Sequence, residues 1–309
     1  MTPQHHTQLI KKKSQKLGFT YCGIAEATEL TEDARKLEKW LNAHHHGTMY
    51  YMSNHFEKRI DPRILVPGAK SVVTLLFNYH QKNVSQSDYR IAQYALGHDY
   101  HFVLKNKLSQ LIHELQEEIG AFTARIFTDS APILEKAWAQ RSGTGWIGKN
   151  TMLINKQSGS FFFLAEIICD LPLIPDHPLA KDYCGTCTAC IDACPTNAIQ
   201  ENKYLAANQC ISYYTIEHKG DIPIDAKDKY QNWIFGCDIC QEVCPWNRFA
   251  QATTEPLLQS KNEISAMNNT DWEEITDEIF KRLFKESPVL RTKWKGLKRN
   301  IEFIKVKKQ

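Results

Sequence analysis

Cysteines carry the most specific chemistry in this sequence. Eight of its ten cysteines fall between Cys184 and Cys244, and four of them form a C-x2-C-x2-C-x3-C run that ends at Pro195. This run is typical of bacterial ferredoxins, in which three thiolates wrap one iron–sulfur cluster and the fourth belongs to a second cluster. A shorter C-x2-C-x3-C-P run, from Cys237 to Pro245, repeats its second half.

Crossover between the two runs assigns the thiolates to two clusters. The first cluster takes Cys184, Cys187, Cys190 and Cys244. The second takes Cys194, Cys210, Cys237 and Cys240. Cys210 is included because no other cysteine remains within the region. Zinc is the alternative metal, since sets of four cysteines also bind it. Three cysteines in series, with a proline after each run, favour two 4Fe–4S clusters, which carry single electrons to another site.

The stretch RSGTGWIGKN, residues 141–150, contains G-x-G-x-x-G, the pattern of dinucleotide phosphate loops. Such a loop follows a strand and opens a helix. Here a predicted helix, 132–141, precedes the glycines, and a predicted strand, 151–155, follows them. The reversed order argues against a dinucleotide site and favours a turn whose backbone approaches another group closely.

Asp129, in TDSAP, stands where a predicted strand, 123–128, ends and the helix 132–141 is about to begin. An aspartate in this position often caps a helix. A carboxyl group at the C-terminal edge of a sheet also lies where ligands gather in αβ folds, and there it could donate a proton. The residues alone leave both roles open.

The composition predicts a cytoplasmic protein. The chain of 309 residues is 42% hydrophobic, and its longest apolar run is interrupted by Glu166 and Asp170. We therefore expect no membrane span, and the N-terminus shows no secretory signal. Ten cysteines in a reducing compartment again indicate metal rather than disulfides.

Charge is distributed unevenly along the chain. Residues 281–309 hold 11 Lys or Arg against two acids, a net of +9, so a total of +3 leaves −6 for the preceding 280 residues. A basic tail on an acidic body favours a polyanionic partner. The alternative interpretation is a solvated helix face.

Hydrophobic periodicity predicts an α+β protein in three parts. Predicted helices cover 4–17, 32–44, 100–120 and 132–141, and predicted strands cover 20–25, 71–79, 123–128, 151–155 and 161–168. The expected domains are a mixed αβ domain at 1–175, a ferredoxin-like domain at 176–250 and a helical basic segment at 251–309.

Six ordered segments carry a resemblance to a known family. They are 57–73, 94–108, 128–154, 184–199, 210–220 and 236–247. Together they resemble epoxyqueuosine reductases, cobalamin-dependent iron–sulfur enzymes that finish queuosine synthesis on tRNA. The likeness runs from about residue 10 to the end. It implies that the αβ domain binds cobalamin and that Asp129 is the proton donor, for which its pKa must be raised.

The resemblance also implies which residues line the cofactor. The cobalamin would contact Arg59, Ala92, Asp129, Gly148, Lys149, Asn150, Leu153, Leu164 and Asp238. No histidine is expected below the cobalt, since the D-x-H-x-x-G pattern that begins at Asp99 has Leu104 in place of its glycine.

The implied substrate is a tRNA with a queuosine-precursor anticodon, of the Asp, Asn, His or Tyr acceptors. Its phosphates would be bound by Lys219, Arg291, Lys293, Lys295, Lys298 and Arg299. A flavodoxin or ferredoxin would supply electrons to a monomer. Two rival functions are a reductive dehalogenase, which usually has a twin-arginine signal, and a two-cluster electron carrier, which would not need the αβ domain.

Overall fold

The computed structural model describes residues 2–81 and 85–305, so residues 306–309 of the predicted basic tail lie outside the described part. The α-helices of the described residues are α1 (Pro3–Lys16), α2 (Thr31–Asn42), α3 (Phe56–Ile60), α4 (Pro62–Leu65), α5 (Tyr100–Ile119), α6 (Glu135–Arg141), α7 (Ala189–Asp192), α8 (Ile239–Glu242), α9 (Asn262–Ala266), α10 (Asn269–Glu273), α11 (Asp277–Leu283) and α12 (Lys293–Ile304). The strands are β1 (Tyr21–Glu26), β2 (Ser71–Asn78), β3 (Arg90–Ile91), β4 (Ala124–Phe127), β5 (Trp146–Ile147), β6 (Leu153–Ile154), β7 (Phe162–Cys169), β8 (Ile199–Gln200), β9 (Tyr204–Leu205) and β10 (Trp233–Phe235).

A four-stranded sheet in the order β1-β2-β7-β4 forms the centre of the αβ region, and all neighbouring strands are antiparallel. Successive side chains on a strand point to opposite faces. On one face Val73 and Ile167 join a core with α1 and α5. On the other, Val72 and Ile168 pack with Trp138 of α6. The sheet is therefore covered on both sides, which explains why β2 is almost wholly buried.

Helix α5 positions part of the site. Its buried residues include Leu104, Leu108, Leu111 and Leu115, spaced three or four apart on the face that packs against the sheet. Asp99 caps the helix by accepting a hydrogen bond from the His101 N–H at 2.9 Å. The first turn is thereby fixed beside the end of β4.

A second core joins distant parts of the chain. Strand β3 pairs in parallel with β10, and residues 89–96 pack with buried side chains from 211–304, among them Leu297 and Ile301 of α12. This core spans the predicted domain boundary at 250. The three-part division stays a prediction, whereas the mixed α/β class is confirmed.

Most predicted elements of the αβ region are present with ends shifted by one to three residues. The predicted helix 132–141 begins only at Glu135, because residues 128–134 form an irregular loop. The C-terminal helical pattern is broken between α10 and α11, since the Thr276 side chain accepts from the Ile279 N–H and starts a new helix. Among the described residues, none of the helices has both the length and the apolar character that crossing a bilayer requires.

Candidate active site and cluster loops

The four cysteines assigned to the first cluster line one cavity of about 180 Å³. Cys184, Cys187 and Cys190 come from the loop that leads into α7, and Cys244 follows α8. Cys187 is exposed, so this cavity lies at the surface.

The other four cysteines form a second, more enclosed set. Burial raises the pKa of the Cys237 thiol, and the negative charges of Cys210 and Cys194 raise it further. Burial also raises the pKa of Cys240, with Cys210 and Cys237 adding to the effect. Cys210 and Cys237 thus lie near Cys240, and Cys190 of the first set also acts on Cys240, so the assignment to two clusters stays a prediction.

The first set of thiols surrounds a cavity of about 180 Å³, which has room for a multi-atom cluster.

The glycine-rich stretch forms a hairpin of β5 and β6, with α6 before it, as the order of predicted elements indicated. A Cβ atom on Gly145 would lie 2.4 Å from the Ile154 carbonyl oxygen, so glycine is required for this approach. At the hairpin turn, Lys149 Nζ donates to the carbonyl oxygens of Gly185 at 2.9 Å and Cys187 at 2.8 Å. The glycines therefore position a turn against the first cluster loop.

Asp129 lies in the loop between β4 and α6 with a left-handed backbone, φ 55°. Its N–H donates to Glu135 Oε1 at 2.5 Å. The residue at the start of α6, Leu134, makes no side-chain capping bond, and Asp129 is too far from the helix to serve as its cap. Asp129 is therefore not the N-cap of α6, and its role as proton donor stays a prediction.

Two side chains from the first turn of α5 contact the Asp129 carboxylate. Tyr100 Oη donates to Asp129 Oδ2 at 2.5 Å, and His101 Nε2 lies 3.5 Å from the same oxygen. The other ring nitrogen of His101, Nδ1, lies 2.7 Å from Asp99 Oδ1. Both ring nitrogens of His101 thus face carboxylates.

The proton of this group resides on His101 near neutral pH. Burial lowers the pKa of His101, but hydrogen bonds and charge from Asp129 and Asp99 outweigh it and raise that pKa to about 9. Burial raises the pKa of Asp129, as the sequence led us to expect, yet the donors His101 and Tyr100 hold it below its usual value. The expectation of a raised pKa at Asp129 is therefore wrong.

The residues expected to line cobalamin are divided among several positions. Leu164 adjoins Asp129, since its carbonyl accepts from Thr128 Oγ1 at 3.0 Å. Ala92 and Asp238 lie together, because Asp238 Oδ2 accepts from the Gln93 N–H at 2.7 Å. Asn150 Nδ2 donates to the Cys240 carbonyl at 3.1 Å, which ties the hairpin to the second cluster loop.

Two other residues expected to line cobalamin have buried side chains. Arg59 is 8% exposed and donates to the carbonyls of Tyr51 and Asn54. Leu153 is 4% exposed and packs in a small core with Leu76. The side chains of Arg59 and Leu153 therefore contact other protein groups. The ammonium of Lys149 binds the first cluster loop.

An open space lies in front of Asp129. Its side chain is 58% exposed although Tyr100 and His101 cover one side. Lys136 of α6 is exposed as well and is influenced by the charges of both Asp129 and Cys240. Lys136 therefore lies within electrostatic reach of both the acid and the second set of thiols.

Cations gather at the mouth of a neighbouring cleft. A cavity of about 390 Å³ is lined by Thr48, Tyr51, Glu217, His218, Lys219, Gly220 and Arg291. Arg291 pairs with Glu217 at 2.6 Å, and its charge acts on Asp129. Burial lowers the pKa of Lys219, which Arg291, Arg299 and Lys293 lower further.

Two of the six predicted phosphate contacts make short hydrogen bonds within the protein. Lys298 Nζ donates to the Glu273 carbonyl at 2.5 Å. The Arg299 guanidinium donates to the carbonyls of Tyr214, His218 and Gly220 at 2.7–2.8 Å. Both groups therefore hold the protein itself together. Arg291, Lys293 and Lys295 are exposed.

Several site residues were missed by sequence reasoning. Tyr100, Lys136 and Glu135 carry no motif of their own. For His101 a signal existed, the incomplete D-x-H pattern, but it indicated a missing cobalt ligand rather than a partner of Asp129.

Known proteins are similar to this chain along its length. Residues 59–130 match the family described as epoxyqueuosine reductase QueG, and residues 183–247 match a 4Fe–4S double cluster binding domain. An epoxyqueuosine reductase from Cyclobacterium marinum is 56% identical over 98% of each chain. A crystal structure of epoxyqueuosine reductase with an epoxyqueuosine-modified tRNA-Tyr stem loop is 30% identical, with a TM-score of 0.89, over 96% of this chain and 80% of that one.

Two further structures bear on the site and on the rival functions. The Bacillus subtilis epoxyqueuosine reductase, 29% identical with a TM-score of 0.88 over 96% of this chain and 80% of that one, is described with its catalytic aspartate loop swung out of the active site. A catabolic reductive dehalogenase, 17% identical with a TM-score of 0.51 over 82% of this chain and 33% of that one, shares the fold alone. From the near full-length identities, the chain belongs to the epoxyqueuosine reductase family of oxidoreductases.

Proposed function

We propose that the protein reduces epoxyqueuosine to queuosine at the wobble position of cytoplasmic tRNA, the last step of queuosine biosynthesis, with cobalamin and two 4Fe–4S clusters. One observation carries the proposal. The chain carries two sets of four cysteines at ferredoxin spacing and, in its αβ region, an exposed Asp129 carboxylate held by His101 and Tyr100. The reaction consumes two electrons and two protons and releases water.

Cobalamin, when bound, supplies a strongly reducing cobalt to the epoxide carbon. The residues that would hold it are Leu164 beside Asp129, Gly148 and Asn150 of the hairpin, and Ala92 with Asp238 beside the second thiol set. This assignment follows the family resemblance, and the charge of Lys136 interacts with both Asp129 and Cys240.

Residues of the chain itself supply a proton to the epoxide oxygen. His101 carries the proton at neutral pH, and its Nε2 faces Asp129 Oδ2 at 3.5 Å. Asp129 receives this proton and passes it to the oxygen as the C–O bond opens. Tyr100 keeps its own proton, because burial and the charge of Asp129 raise its pKa, and it orients the carboxylate.

The loop with Asp129 closes over the bound base. The Bacillus subtilis relative is described with its catalytic aspartate loop swung out, and we propose the same movement for residues 128–134. An anticodon base is splayed out of its loop for recognition or chemistry. The cleft of about 390 Å³ beside Asp129 is the proposed place for it. Lys219, Arg291, Lys293 and Lys295 then bind the surrounding phosphates.

Electrons enter at the exposed first cluster. Lys149 and Arg248 line its cavity and give the rim a positive charge. An acidic one-electron donor, a flavodoxin or ferredoxin, would dock there and pass electrons singly to the second set of thiols. All groups of the proposed reaction come from one chain, so we propose a functional monomer.

The test is a reconstitution under anaerobic conditions. Protein with reconstituted clusters is supplied with cobalamin, a chemical reductant and tRNA that carries epoxyqueuosine, and the nucleosides are analysed by mass spectrometry. Queuosine should form only when cobalamin and reductant are both present. Matched reactions without cobalamin serve as controls. Absence of queuosine from protein with a full complement of iron and bound cobalamin would refute the proposal.

A further inference from the structure

A tyrosine lines the cleft in which the anticodon base is proposed to bind. This residue, Tyr51, is 43% exposed. A single exposed ring is ordinary on a protein surface. Here, however, the same cleft is also lined by a carboxylate, Glu217, and a guanidinium, Arg291. The guanidinium carbon of Arg291 lies 5.9 Å from the centroid of the Tyr51 ring. Two charged groups of opposite sign and one ring therefore share the same space.

The position of Tyr51 is fixed through its backbone. The residue lies in a single 3-10 turn, Tyr50–Met52. Arg59 is buried, and its Nη2 donates to the Tyr51 carbonyl oxygen at 2.7 Å. Just before this turn, the Thr48 N–H donates to Tyr213 Oη at 2.9 Å, which ties the turn to the segment that carries the carboxylate. A ring that is held in place before a ligand arrives loses little conformational entropy on binding.

The carboxylate of Glu217 is held by hydrogen bonds as well. Residues Tyr213–Glu217 form a π-helical turn, a rare conformation that is frequent at functional sites. Asn300 Nδ2 donates to the carbonyl oxygen of Thr215 within this turn at 2.8 Å. The Glu217 carboxylate then accepts twice from Arg291, from Nε at 2.6 Å and from Nη2 at 3.0 Å. This two-point bond fixes the orientation of both side chains.

The Glu217 carboxylate has acceptor capacity left for a ligand. An ionised carboxylate accepts about four hydrogen bonds, and Arg291 donates two of them. Because Glu217 lines the cleft, a ligand there can reach the remaining acceptor positions. Single-stranded bases are recognised by their Watson–Crick edges and by stacking on aromatic rings. A guanine-type base presents two adjacent donors, N1–H and the 2-amino group, which match a carboxylate. Adenine has an acceptor at N1 and does not match it.

We propose that Tyr51 and Glu217 select a guanine-type base in this cleft, with Tyr51 stacked on its face and Glu217 accepting from its Watson–Crick edge. Arg291 is a positioning residue, because it holds the Glu217 carboxylate and lies beside the Tyr51 ring. The queuosine precursor is a 7-deazaguanine and keeps both donors. That the base belongs to a tRNA rests on the proposed function, whereas its guanine type follows from the carboxylate.

Binding of anticodon stem loops tests both contacts without turnover. The stem loops differ only at the wobble position, which carries epoxyqueuosine, guanosine or adenosine. Fluorescence anisotropy measures the Kd of each for protein with reconstituted clusters. The parent should bind the guanosine loop about tenfold more tightly than the adenosine loop, since two hydrogen bonds distinguish the base edges. Equal affinity of the parent for these two loops would overturn the proposal.

Tyr51→Ala tests the stacking contact. It should weaken binding of the guanosine and adenosine loops alike by about tenfold. The dependence of affinity on salt should stay the same, because no phosphate contact is lost. Tyr51→Phe keeps the ring and should bind as the parent does. The matched control is Tyr50→Ala, whose 67% exposed ring belongs to the same turn but does not line the cleft. Parental affinity in Tyr51→Ala, or an equal loss in Tyr51→Phe, would refute the stacking role.

Glu217→Gln tests recognition of the base edge. The amide has a similar volume but replaces one acceptor oxygen with a donor. The preference for guanosine over adenosine should therefore fall by about tenfold, to near parity. A purely structural role would weaken both loops equally and keep the preference, and parental iron content would show that the turn after Cys210 is intact.

The outcomes separate this inference from the proposed function. If the parent binds the epoxyqueuosine loop and the guanosine preference survives Glu217→Gln, the base-selection proposal is overturned and the proposed function stands. If the parent binds none of the three loops, both are refuted.

Discussion

The cluster loops are built from neighbours in the chain, whereas the Asp129 cleft is built from residues that the fold brings together. Three ligands of the first set lie within residues 184–190, and one-turn helices α7 and α8 repeat the same local arrangement. Asp129, by contrast, meets Tyr100 across 29 residues of sequence, and it lies within the electrostatic reach of Arg291 from the far end of the chain.

This contrast shows where each site obtains its stability. Thiolate loops are ordered by the metal they bind, so their folding and their loading are one process. The Asp129 cleft is ordered by protein hydrogen bonds before any ligand arrives. Substitutions in the loops should therefore remove a cofactor, while substitutions in the cleft should alter rate or pH dependence and leave the cofactors in place.

Loss of one thiol should have the largest effect. Cys210→Ser removes the ligand that lies apart from both cysteine runs, so iron content should fall to about half and turnover should become undetectable. Iron analysis and epoxyqueuosine conversion measure this. The matched variant Cys22→Ser, a half-buried cysteine outside the loops, should keep full iron. Retention of all iron in Cys210→Ser would contradict the distinction between loops and cleft.

Asp129→Asn should have the next largest effect, a loss of turnover. Loss of a general acid lowers kcat by about 10²- to 10⁴-fold, while iron content and cobalamin binding stay at parental levels. Single-turnover conversion of epoxyqueuosine in tRNA measures the rate. Asp33→Asn, an acid on the surface helix α2, is the control. A parental rate in Asp129→Asn means that the proton comes from elsewhere.

The pH dependence of turnover should report the titration of His101. The pKa of His101 in the folded protein is raised to about 9, so the proton is present below this value and is lost as pH rises through it. The rate should fall above about pH 9. His101→Gln should be slower throughout and lack that transition, which a pH–rate profile at saturating tRNA would detect. A transition that survives in the variant contradicts the assignment.

Exposed lysines should have a smaller, salt-dependent effect. Lys293→Ala with Lys295→Ala should weaken tRNA binding and reduce the slope of log affinity against log salt by about one for each phosphate that is no longer bound. Lys298→Met is the matched control, since its ammonium is bound to the Glu273 carbonyl. Equal slopes in the parent and the double variant would exclude these lysines from the interface.

Lys149→Met should have the smallest effect of these substitutions. It tests whether the turn between β5 and β6 supports the first cluster loop or the cobalamin site. Its ammonium binds the carbonyls of Gly185 and Cys187. Iron should therefore leave the first cluster about two- to threefold faster under a chelator, because one or two charge-assisted hydrogen bonds are removed. Cobalamin affinity, followed by absorbance, should be unchanged. Weaker cobalamin binding with an unchanged rate of iron loss would show that Lys149 contacts cobalamin rather than the first cluster loop.

The sequence predicted the two regions unequally, for the physical reason that separates them. Spacing alone divided the thiols into two groups, and the structure brings the first group together around one cavity, because a short loop constrains its own geometry. The position of Asp129 was predicted, but its pKa was not, since Tyr100 and His101 meet it only after α5 packs on the sheet. Lys298 and Arg299 look like phosphate ligands in sequence, yet carbonyls visible only in the fold engage them.

The shared core of residues 89–96 with the C-terminal helices sets an order of events in the cell. Strand β3 leaves the ribosome well before its partner β10 and the covering helix α12. Asn300 of α12 donates to the carbonyls of Thr215 and Ile234, between the cysteines of the second set. The scaffold around that set is thus completed only after α12 has been synthesised, so we expect iron delivery to it to follow the synthesis of its cysteines rather than to accompany it.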